Sequence, residues 1–239
     1  MCTVTYLPTG NNEFVLTTNR DEAPGRSPRS IDRQPEMLLP RDTGAGGTWV
    51  AAHQDGRALC VLNGAFQRHR RNPPYRLSRG LVALSLFSYK NAFDFFGHFD
   101  FGNIEPFTMV IFDRNTLLDF RWDGQQRHIR ELNKQERHIW SSATLYGPAI
   151  RQRRVNWFQD WASSTDFSPD SILAFHRNAG EGDPWNDVIM NRYGLVKTVS
   201  TTQVIKHKLA VTMRYYDLLR DGVDTAKINL EGEKVVETN

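Results

Sequence analysis

Only two cysteines occur in this chain of 239 residues, and one of them, Cys2, directly follows the first methionine. An aminopeptidase that acts when the second residue is small would remove Met1 and leave a thiol and an α-amine on one residue. The ordinary pKa is about 7.7–8.0 for such an amine and about 8.5 for a thiol, so the amine can accept the thiol proton. The thiolate is the attacking species, and Cys2 would then supply both nucleophile and base. The alternative is that Cys2 has no chemical role and is simply a small residue at the start of a strand.

A run of four polar residues, Asn19-Arg20-Asp21-Glu22, directly follows an apolar segment. Arg20 can hold a thiolate or an anionic substrate group through charge-assisted hydrogen bonds. Asp21 can accept a hydrogen bond from the α-ammonium group and orient it. The alternative for this run is a charged strand end in a surface ion pair, which is worth less than about 1 kcal/mol.

A predicted hairpin brings these two features together. The segments Cys2–Leu7 and Glu13–Thr18 are rich in β-branched and aromatic residues, and the turn-forming residues 8–12 separate them. In an antiparallel hairpin the end of the second strand lies beside the start of the first. We therefore expect residues 19–21 to lie close to Cys2.

Composition narrows the class of protein. Lys and Arg number 30 against 27 Asp and Glu, a net charge of +3 that is too even to indicate nucleic-acid binding. Two cysteines are too few for a disulfide framework, and Cys60 is predicted to be buried and inert. The longest apolar run, near Leu81 to Phe87, is far below the roughly 20 residues that cross a bilayer, and no secretory signal is visible. A cytoplasmic protein without a transmembrane segment is therefore expected.

The other polar clusters give weaker signals. No spacing of His, Cys, Asp and Glu matches a metal site, so neither a metal nor a cofactor is predicted. The segment Gln67-Arg68-His69-Arg70-Arg71 is basic enough to meet a phosphate or carboxylate group, and the alternative is a solvated loop.

Periodicity and turn residues predict an α+β protein in which helices group between sets of strands. Further strands are predicted at Thr48–His53, Arg57–Leu62, Phe107–Phe112, Thr116–Trp122, Arg127–Leu132, His138–Ser142, Leu195–Gln203 and Lys208–Tyr215. Helices are predicted at Leu77–Tyr89, Ala92–Phe99, Gly147–Ser164 and Ile172–Arg177. Ser78, Asn91 and Ser168-Pro169-Asp170 are helix-start signals for three of them.

Two segments are predicted to lack regular structure. Residues 23–47 are rich in Pro, Gly and Arg and form a loop of unusual length, and their position directly after the polar run suggests a lid. About fifteen polar residues at the end are expected to fray. No linker or repeat divides the chain, so a single domain over residues 1–239 is predicted.

Several motifs in this order resemble one family. They are the initial Met1-Cys2, the run Asn19-Arg20-Asp21-Glu22, Gly46-Gly47-Thr48-Trp49, Leu62-Asn63-Gly64 and Val199-Ser200-Thr201-Thr202. Together they resemble the NRDE family, the transport and Golgi organisation protein 2 homologues. The resemblance implies an N-terminal nucleophile hydrolase fold, a four-layer αββα sandwich.

A more distant likeness to choloylglycine hydrolases, which cleave linear non-peptide amide bonds, implies catalytic roles. Cys2, Arg20 and Asp21 match their nucleophile, arginine and aspartate by position and type. Asn63 is similar to the asparagine that helps to form their oxyanion hole. Substrate-binding positions that the motifs suggest are Asn19, Trp49, Ser200 and Thr201. Alternatively, Ser200 and Thr201 only form hydrogen bonds with residues of neighbouring strands.

The chain departs from that pattern at one donor. Where those hydrolases carry a second asparagine, this sequence offers Ser141-Ser142, and loss of one oxyanion donor typically costs about 10²–10³ in turnover. Two functions therefore stay open, beside the alternative of a degenerate family member with only a structural role. One is a cysteine amidohydrolase or acyltransferase that acts on a small-molecule amide or acyl substrate. The other is a non-catalytic protein that binds or traffics haem or an acyl lipid in the same pocket.

Overall fold

Two antiparallel β-sheets face each other in the computed structural model, which describes residues 3–164 and 167–231. Within those residues the strands are β1 (Thr3–Gly10), β2 (Glu13–Glu22), β3 (Ile31–Arg33), β4 (Met37–Pro40), β5 (Val50–His53), β6 (Ala58–Asn63), β7 (Phe107–Asp113), β8 (Thr116–Trp122), β9 (Arg127–Leu132), β10 (His138–Ser141), β11 (Asn191–Arg192), β12 (Val196–His207), β13 (Ala210–Asp217) and β14 (Gly222–Asn229). The α-helices are α1 (Arg79–Ser85), α2 (Ala92–His98), α3 (Pro148–Ser164) and α4 (Pro169–Asn178). The first sheet has the order β10-β1-β2-β12-β13-β14 with β11 paired to β12, and the second runs β3-β4-β5-β6-β7-β8-β9.

The predicted N-terminal hairpin is confirmed, and it is longer than expected. Thr3 on β1 lies opposite Asn19 on β2, and β2 continues to Glu22. The polar run is therefore strand rather than turn. It is held in the sheet interior because β2 pairs with β1 on one side and with β12 on the other.

Apolar side chains that alternate along the strands fill the space between the two sheets. The ring of Phe14 on β2 contacts that of Phe112 on β7, with centroids 4.6 Å apart. The indole Nε1 of Trp140 donates a hydrogen bond across the same interface to Asp119 (3.2 Å). Cys60 is fully buried, and burial raises the pKa of its thiol to about 12. The prediction that Cys60 is buried is confirmed.

Helices cover the outer face of each sheet. Phe96 of α2 stacks on Phe120 of the second sheet, with centroids 4.4 Å apart. On the first sheet, Phe158 of α3 and Phe175 of α4 pack in one cluster with Leu7. The layers therefore follow the order helix, sheet, sheet, helix, and the expected αββα sandwich is confirmed.

Helix starts agree with the sequence signals because caps are local features. Ser78, Asn91 and Ser168 each accept a hydrogen bond from a backbone N–H in the first turn of the helix that follows. No helix among the described residues is both long and apolar enough to cross a membrane.

The prediction of one long loop over residues 23–47 is wrong. Two short strands, β3 and β4, form the edge of the second sheet within it, and Leu38 and Leu39 are buried there. Strands of three and four residues leave little periodicity in a segment rich in Pro and Arg. The parts without regular structure are shorter, and residues 41–49 lead directly to the site.

The expectation of a frayed end is also wrong for residues 225–229. They belong to β14, which pairs along its whole length with β13. Ala226 is buried while its neighbours are more exposed, so an edge strand with a polar surface resembles a tail in sequence. The remaining predicted tail, residues 232–239, lies outside the described residues.

Candidate functional site

The site is described from Thr3 onward, because Cys2 lies outside the described residues. Thr3 pairs with Asn19 on β2 and with Ser141 on β10, so the start of β1 is enclosed by strands on both sides. The polar run and the Ser141-Ser142 segment therefore meet at one end of the sheet. This is the end that the hairpin prediction indicated.

Asp21 is buried at this end and held in a fixed orientation. It accepts hydrogen bonds from the hydroxyl groups of Tyr146 (2.8 Å) and Thr198 (2.6 Å). The Thr198 hydroxyl in turn accepts a hydrogen bond from the backbone N–H of Met190 (2.8 Å), which fixes its direction of donation toward Asp21. A carboxylate that is oriented in this way can direct a neighbouring ammonium group.

Arg20 is buried and makes its contacts on the opposite side of β2. Its guanidinium forms an ion pair with Asp42 and donates to the carbonyl oxygen of Arg26 (2.8 Å). It also lies flat over Trp49, 4.0 Å from the ring centroid. Burial lowers the pKa of Arg20, and the charge of Asp42 opposes this shift. The positive charge of Arg20 is therefore largely matched within the protein.

Asp42 is one residue at this site that sequence analysis missed. One of its oxygens accepts from the backbone N–H groups of Gly44 (2.9 Å) and Ala45 (2.7 Å), and Arg26 adds a second ion pair (2.8 Å). Asp42 thus anchors its own loop onto Arg20. The acidic position lies twenty-two residues from Arg20 in sequence, so no local motif could have indicated the contact.

Asn63 ends β6, and its backbone is held by the serine segment. The hydroxyl of Ser142, which is fully buried, donates to the carbonyl oxygen of Asn63 (2.9 Å). The side-chain amide of Asn63 makes no hydrogen bond to any described residue. Ser142 therefore holds the backbone of Asn63 in place, and its hydroxyl proton is used within the protein.

Trp49 presents an indole N–H that no described residue accepts, although the side chain is almost completely buried. Its carbonyl oxygen accepts from the N–H of Val61 on β6 (2.8 Å), two residues before Asn63. The backbone before Trp49 packs tightly on α1. A Cβ at Gly47 would lie 2.6 Å from the carbonyl carbon of Gly80, so only glycine allows this approach.

A small cavity of about 80 Å³ is lined by several of these groups, but not by Asp21 or Ser142. Its lining includes Arg20, Glu22, Arg26, Asp42, Thr48, Trp49, Val61, Asn63, Ser78 and Arg79. The structure thus brings together Arg20, Trp49 and Asn63 among the predicted site residues. Asn19, Ser200 and Thr201 do not line this cavity.

Asn19 instead forms a structural junction on the other face of β2. Its amide nitrogen donates to the carbonyl oxygens of His176 and Val188 (2.8 Å each). Its amide oxygen accepts from the Thr201 hydroxyl (2.9 Å) and from Nδ1 of His176 (3.1 Å). Every hydrogen-bonding position of the Asn19 amide is therefore used to join β2, β12 and α4. Ser200 is buried opposite Arg20 in the sheet register.

His176 completes this junction in its neutral form. Because Asn19 presents an oxygen to Nδ1, that nitrogen carries the proton, and Nε2 accepts from the Thr5 hydroxyl (2.9 Å). Burial, together with the charge of Arg154, lowers the pKa of His176 to about 3. Sequence analysis gave His176 no role.

Arg154 is a second buried arginine that the sequence analysis did not identify. It donates to the Thr3 hydroxyl and to the carbonyl oxygens of Asn186 (2.9 Å) and Asp187 (2.6 Å). Its guanidinium lies 3.7 Å from the ring centroid of Tyr146, the residue that binds Asp21. Arg154 lies four residues before the buried Phe158 on α3, and residues at this spacing share one helix face. This spacing is the sequence signal that could have indicated that Arg154 is buried.

The αββα layers are those of the N-terminal nucleophile hydrolase fold, which a comparison with solved structures supports. A structure of the Caenorhabditis elegans ortholog of N-acylethanolamine-hydrolyzing acid amidase aligns over 85% of this chain and 92% of its own, with a TM-score of 0.56 and 10% sequence identity. Two variants of conjugated bile acid hydrolase from Clostridium perfringens align over 98% of this chain and their full length, with TM-scores of 0.48 and identities of 12% and 13%.

The sequence places the chain in a narrower group. The chain belongs to the Transport and Golgi organisation 2 family, which it matches over residues 1–219. The family resemblance seen in the motifs is thus confirmed. No curated protein sequence matches the chain significantly. Within the described residues, no group of three or more His, Cys, Asp or Glu side chains is placed to hold a metal ion.

Proposed function

We propose that the protein is a cysteine amidohydrolase or acyltransferase that acts on a linear non-peptide amide, with Cys2 as nucleophile after removal of Met1. The observation that carries the proposal is the buried, oriented Asp21 at the end of β2. A peptide bond joins Cys2 to Thr3, and consecutive Cα atoms are about 3.8 Å apart. The antiparallel register at Thr3 and Asn19 supports a short path from the start of β1 to Asp21.

The α-amine of Cys2 is the general base in this proposal. It takes the thiol proton, the thiolate attacks the amide carbonyl carbon, and the resulting ammonium group returns the proton to the departing amine. Water or an acceptor amine then cleaves the thioester and regenerates the thiol. Asp21 orients the ammonium group in both steps, and its hydrogen bonds to Tyr146 and Thr198 hold it in place.

Two unused donors on the cavity wall support oxyanion stabilisation. Asn63 and Trp49 line the cavity, and neither the Asn63 amide nor the buried indole N–H of Trp49 bonds to a described residue. We assign Asn63 as one donor and Trp49 as the other, in place of the asparagine that choloylglycine hydrolases carry. Preorganised donors of this kind are worth about 10²–10³ in turnover each.

Arg20 has a modified role in this proposal. Its ion pair with Asp42 leaves less positive charge for a thiolate than an isolated guanidinium would supply. Arg20 instead holds the Trp49 ring and the loop of residues 41–47 against the cavity. Asn19 and Thr201 support the strand ends from the other face of the sheet.

A screen of N-acylethanolamides, other N-acyl amides, penicillins and acyl-homoserine lactones tests the activity. We expect release of amine from at least one compound by the wild-type protein and none by Cys2→Ala. Cys60→Ala is the matched control and should retain turnover. Equal turnover by Cys2→Ala and wild type would rule out the proposed nucleophile.

The alternative, a haem or acyl-lipid carrier, finds less support at this site. The cavity of about 80 Å³ is well below the roughly 300–1,000 Å³ of pockets that enclose small ligands. Such a space suits the reacting end of a molecule better than an enclosed haem. A haem titration of the wild-type protein tests this, and saturable binding with a shifted absorbance band would favour the carrier.

A further inference from the structure

A second, larger cavity opens two residues beyond Asn63, and the proposed reaction does not use it. It has a volume of about 670 Å³ and lies between the segment 65–75 and the turns at 103–106 and 123–125. This volume falls within the range of pockets that bind small organic molecules. Phe66, Ile104 and Pro106 give it an apolar wall.

Two arginines on its rim have no charge partner in the part of the chain that the structure describes. Arg68 and Arg70 line the cavity, and neither forms an ion pair or a hydrogen bond with another described residue. Asp123 also lines it, but its carboxylate already accepts from His128 (2.7 Å) and from two backbone N–H groups of its own turn (2.8 and 2.7 Å). The two guanidinium groups therefore remain available to an anion.

Glu105, the acidic residue next to the rim, contacts several basic side chains at once. Glu105 is buried and lies 3.2 Å from Nε2 of His69, 3.3 Å from Arg71 and 3.3 Å from Arg79. One carboxylate thus faces two arginines and a histidine, so it cannot neutralise Arg68 and Arg70 as well. The other ring nitrogen of His69, Nδ1, is buried without a hydrogen-bond partner among the described residues.

The rim is held in shape by hydrogen bonds within the protein. The N–H of Asn72 donates to the Tyr75 hydroxyl (2.8 Å), and the N–H of Arg76 donates to the carbonyl oxygen of Asn103 (2.9 Å). The amide of Asn103 returns a hydrogen bond to the carbonyl oxygen of Pro74 (3.0 Å). These bonds fix residues 72–76 against Asn103, and an ordered part of the rim loses little freedom on binding.

We propose that this cavity binds an organic anion that carries a phosphate or carboxylate group beside an apolar portion. Arg68 and Arg70 bind the anionic group through charge-assisted hydrogen bonds. The wall formed by Phe66, Ile104 and Pro106 accepts the apolar portion. From the sequence, the basic segment 67–71 could be either an anion-binding site or a solvated loop. The cavity and the two arginines without an ion pair among the described residues favour the anion-binding site.

Phenyl phosphate is the probe that tests this site, because it combines both features. Titration calorimetry of the full chain should show saturable binding that weakens as ionic strength rises. The double variant Arg68→Gln/Arg70→Gln should bind at least about tenfold more weakly, since two charge-assisted hydrogen bonds are lost. Inorganic phosphate and phenol, tested separately, should each bind more weakly than phenyl phosphate.

The matched control is Arg29→Gln/Lys227→Gln, which removes the same charge from exposed positions far along the chain from this segment. It should bind phenyl phosphate as the wild type does. The proposal is overturned if the wild type shows no saturable binding, or if both double variants bind equally. Turnover is not the readout, so this result is independent of the role of Cys2.

Discussion

Acid should destabilise the fold through His176, which is buried in the junction below the polar run. The ordinary pKa of a histidine is about 6.5, whereas burial and Arg154 lower that of His176 to about 3. The folded protein keeps the ring neutral because Nε2 must accept from Thr5. The unfolded chain takes up a proton below pH 6.5, so acidification favours unfolding.

The magnitude follows from these two pKa values. The contribution of His176 is fully present above pH 6.5 and is lost progressively as the pH falls toward 3. Between pH 7.5 and pH 5.0 the free energy of unfolding should fall by about 2 kcal/mol from this group alone. Other titrating groups also contribute, so the comparison needs a variant that lacks only this one.

His176→Gln removes the titrating ring and keeps one donor and one acceptor. Urea unfolding of both proteins at several pH values gives the free energy of unfolding of each. The wild type should lose about 2 kcal/mol more than the variant between pH 7.5 and pH 5.0. A constant difference between the two proteins over that range would refute the assignment of a neutral, buried His176.

Three substitutions test the cavity. Asp42→Asn leaves Arg20 buried without a counterion and should cost about 3–5 kcal/mol of unfolding free energy in urea, whereas Asp32→Asn, in a half-exposed ion pair, should cost less than about 1 kcal/mol. Equal losses would contradict a special role of Asp42. Trp49→Phe keeps an aromatic ring but removes the N–H, so turnover should fall about 10²–10³-fold, beyond a loss of stability from the smaller ring that urea unfolding measures, and unchanged turnover would exclude the indole donor. Ser142→Ala loses the hydrogen bond to Asn63, worth about 1 kcal/mol, and should slow turnover while Cys2 alkylates at the wild-type rate.

Features set by nearby residues could be predicted from the sequence. The hairpin of β1 and β2 follows from a turn between two apolar segments, and the starts of α1, α2 and α4 follow from capping side chains. The strands β3, β4 and β14 could not be predicted, because three- and four-residue strands and a polar edge strand have no distinct pattern. Family resemblance, rather than periodicity, supplied the four-layer arrangement.

The residues of the site likewise fall into some that the sequence predicted and others that it could not predict. Arg20, Trp49 and Asn63 were predicted and do line one cavity. Asp42 and Arg154 were missed because their partners are distant in sequence and a single charged residue in a polar segment carries no signal. The Asn19 amide illustrates the reverse case. It belongs to a motif associated with the site, yet its hydrogen bonds show that it joins strands and a helix.

Mass spectrometry of the alkylated protein tests the central claim most directly. Intact mass should show that Met1 is absent, and iodoacetamide at neutral pH should modify Cys2 faster than a free cysteine thiol while Cys60 stays unmodified. Asp21→Asn should slow this modification, because the α-amine loses its orienting carboxylate. Retained Met1, or a Cys2 that reacts at the ordinary rate in both the wild type and Asp21→Asn, would contradict the account.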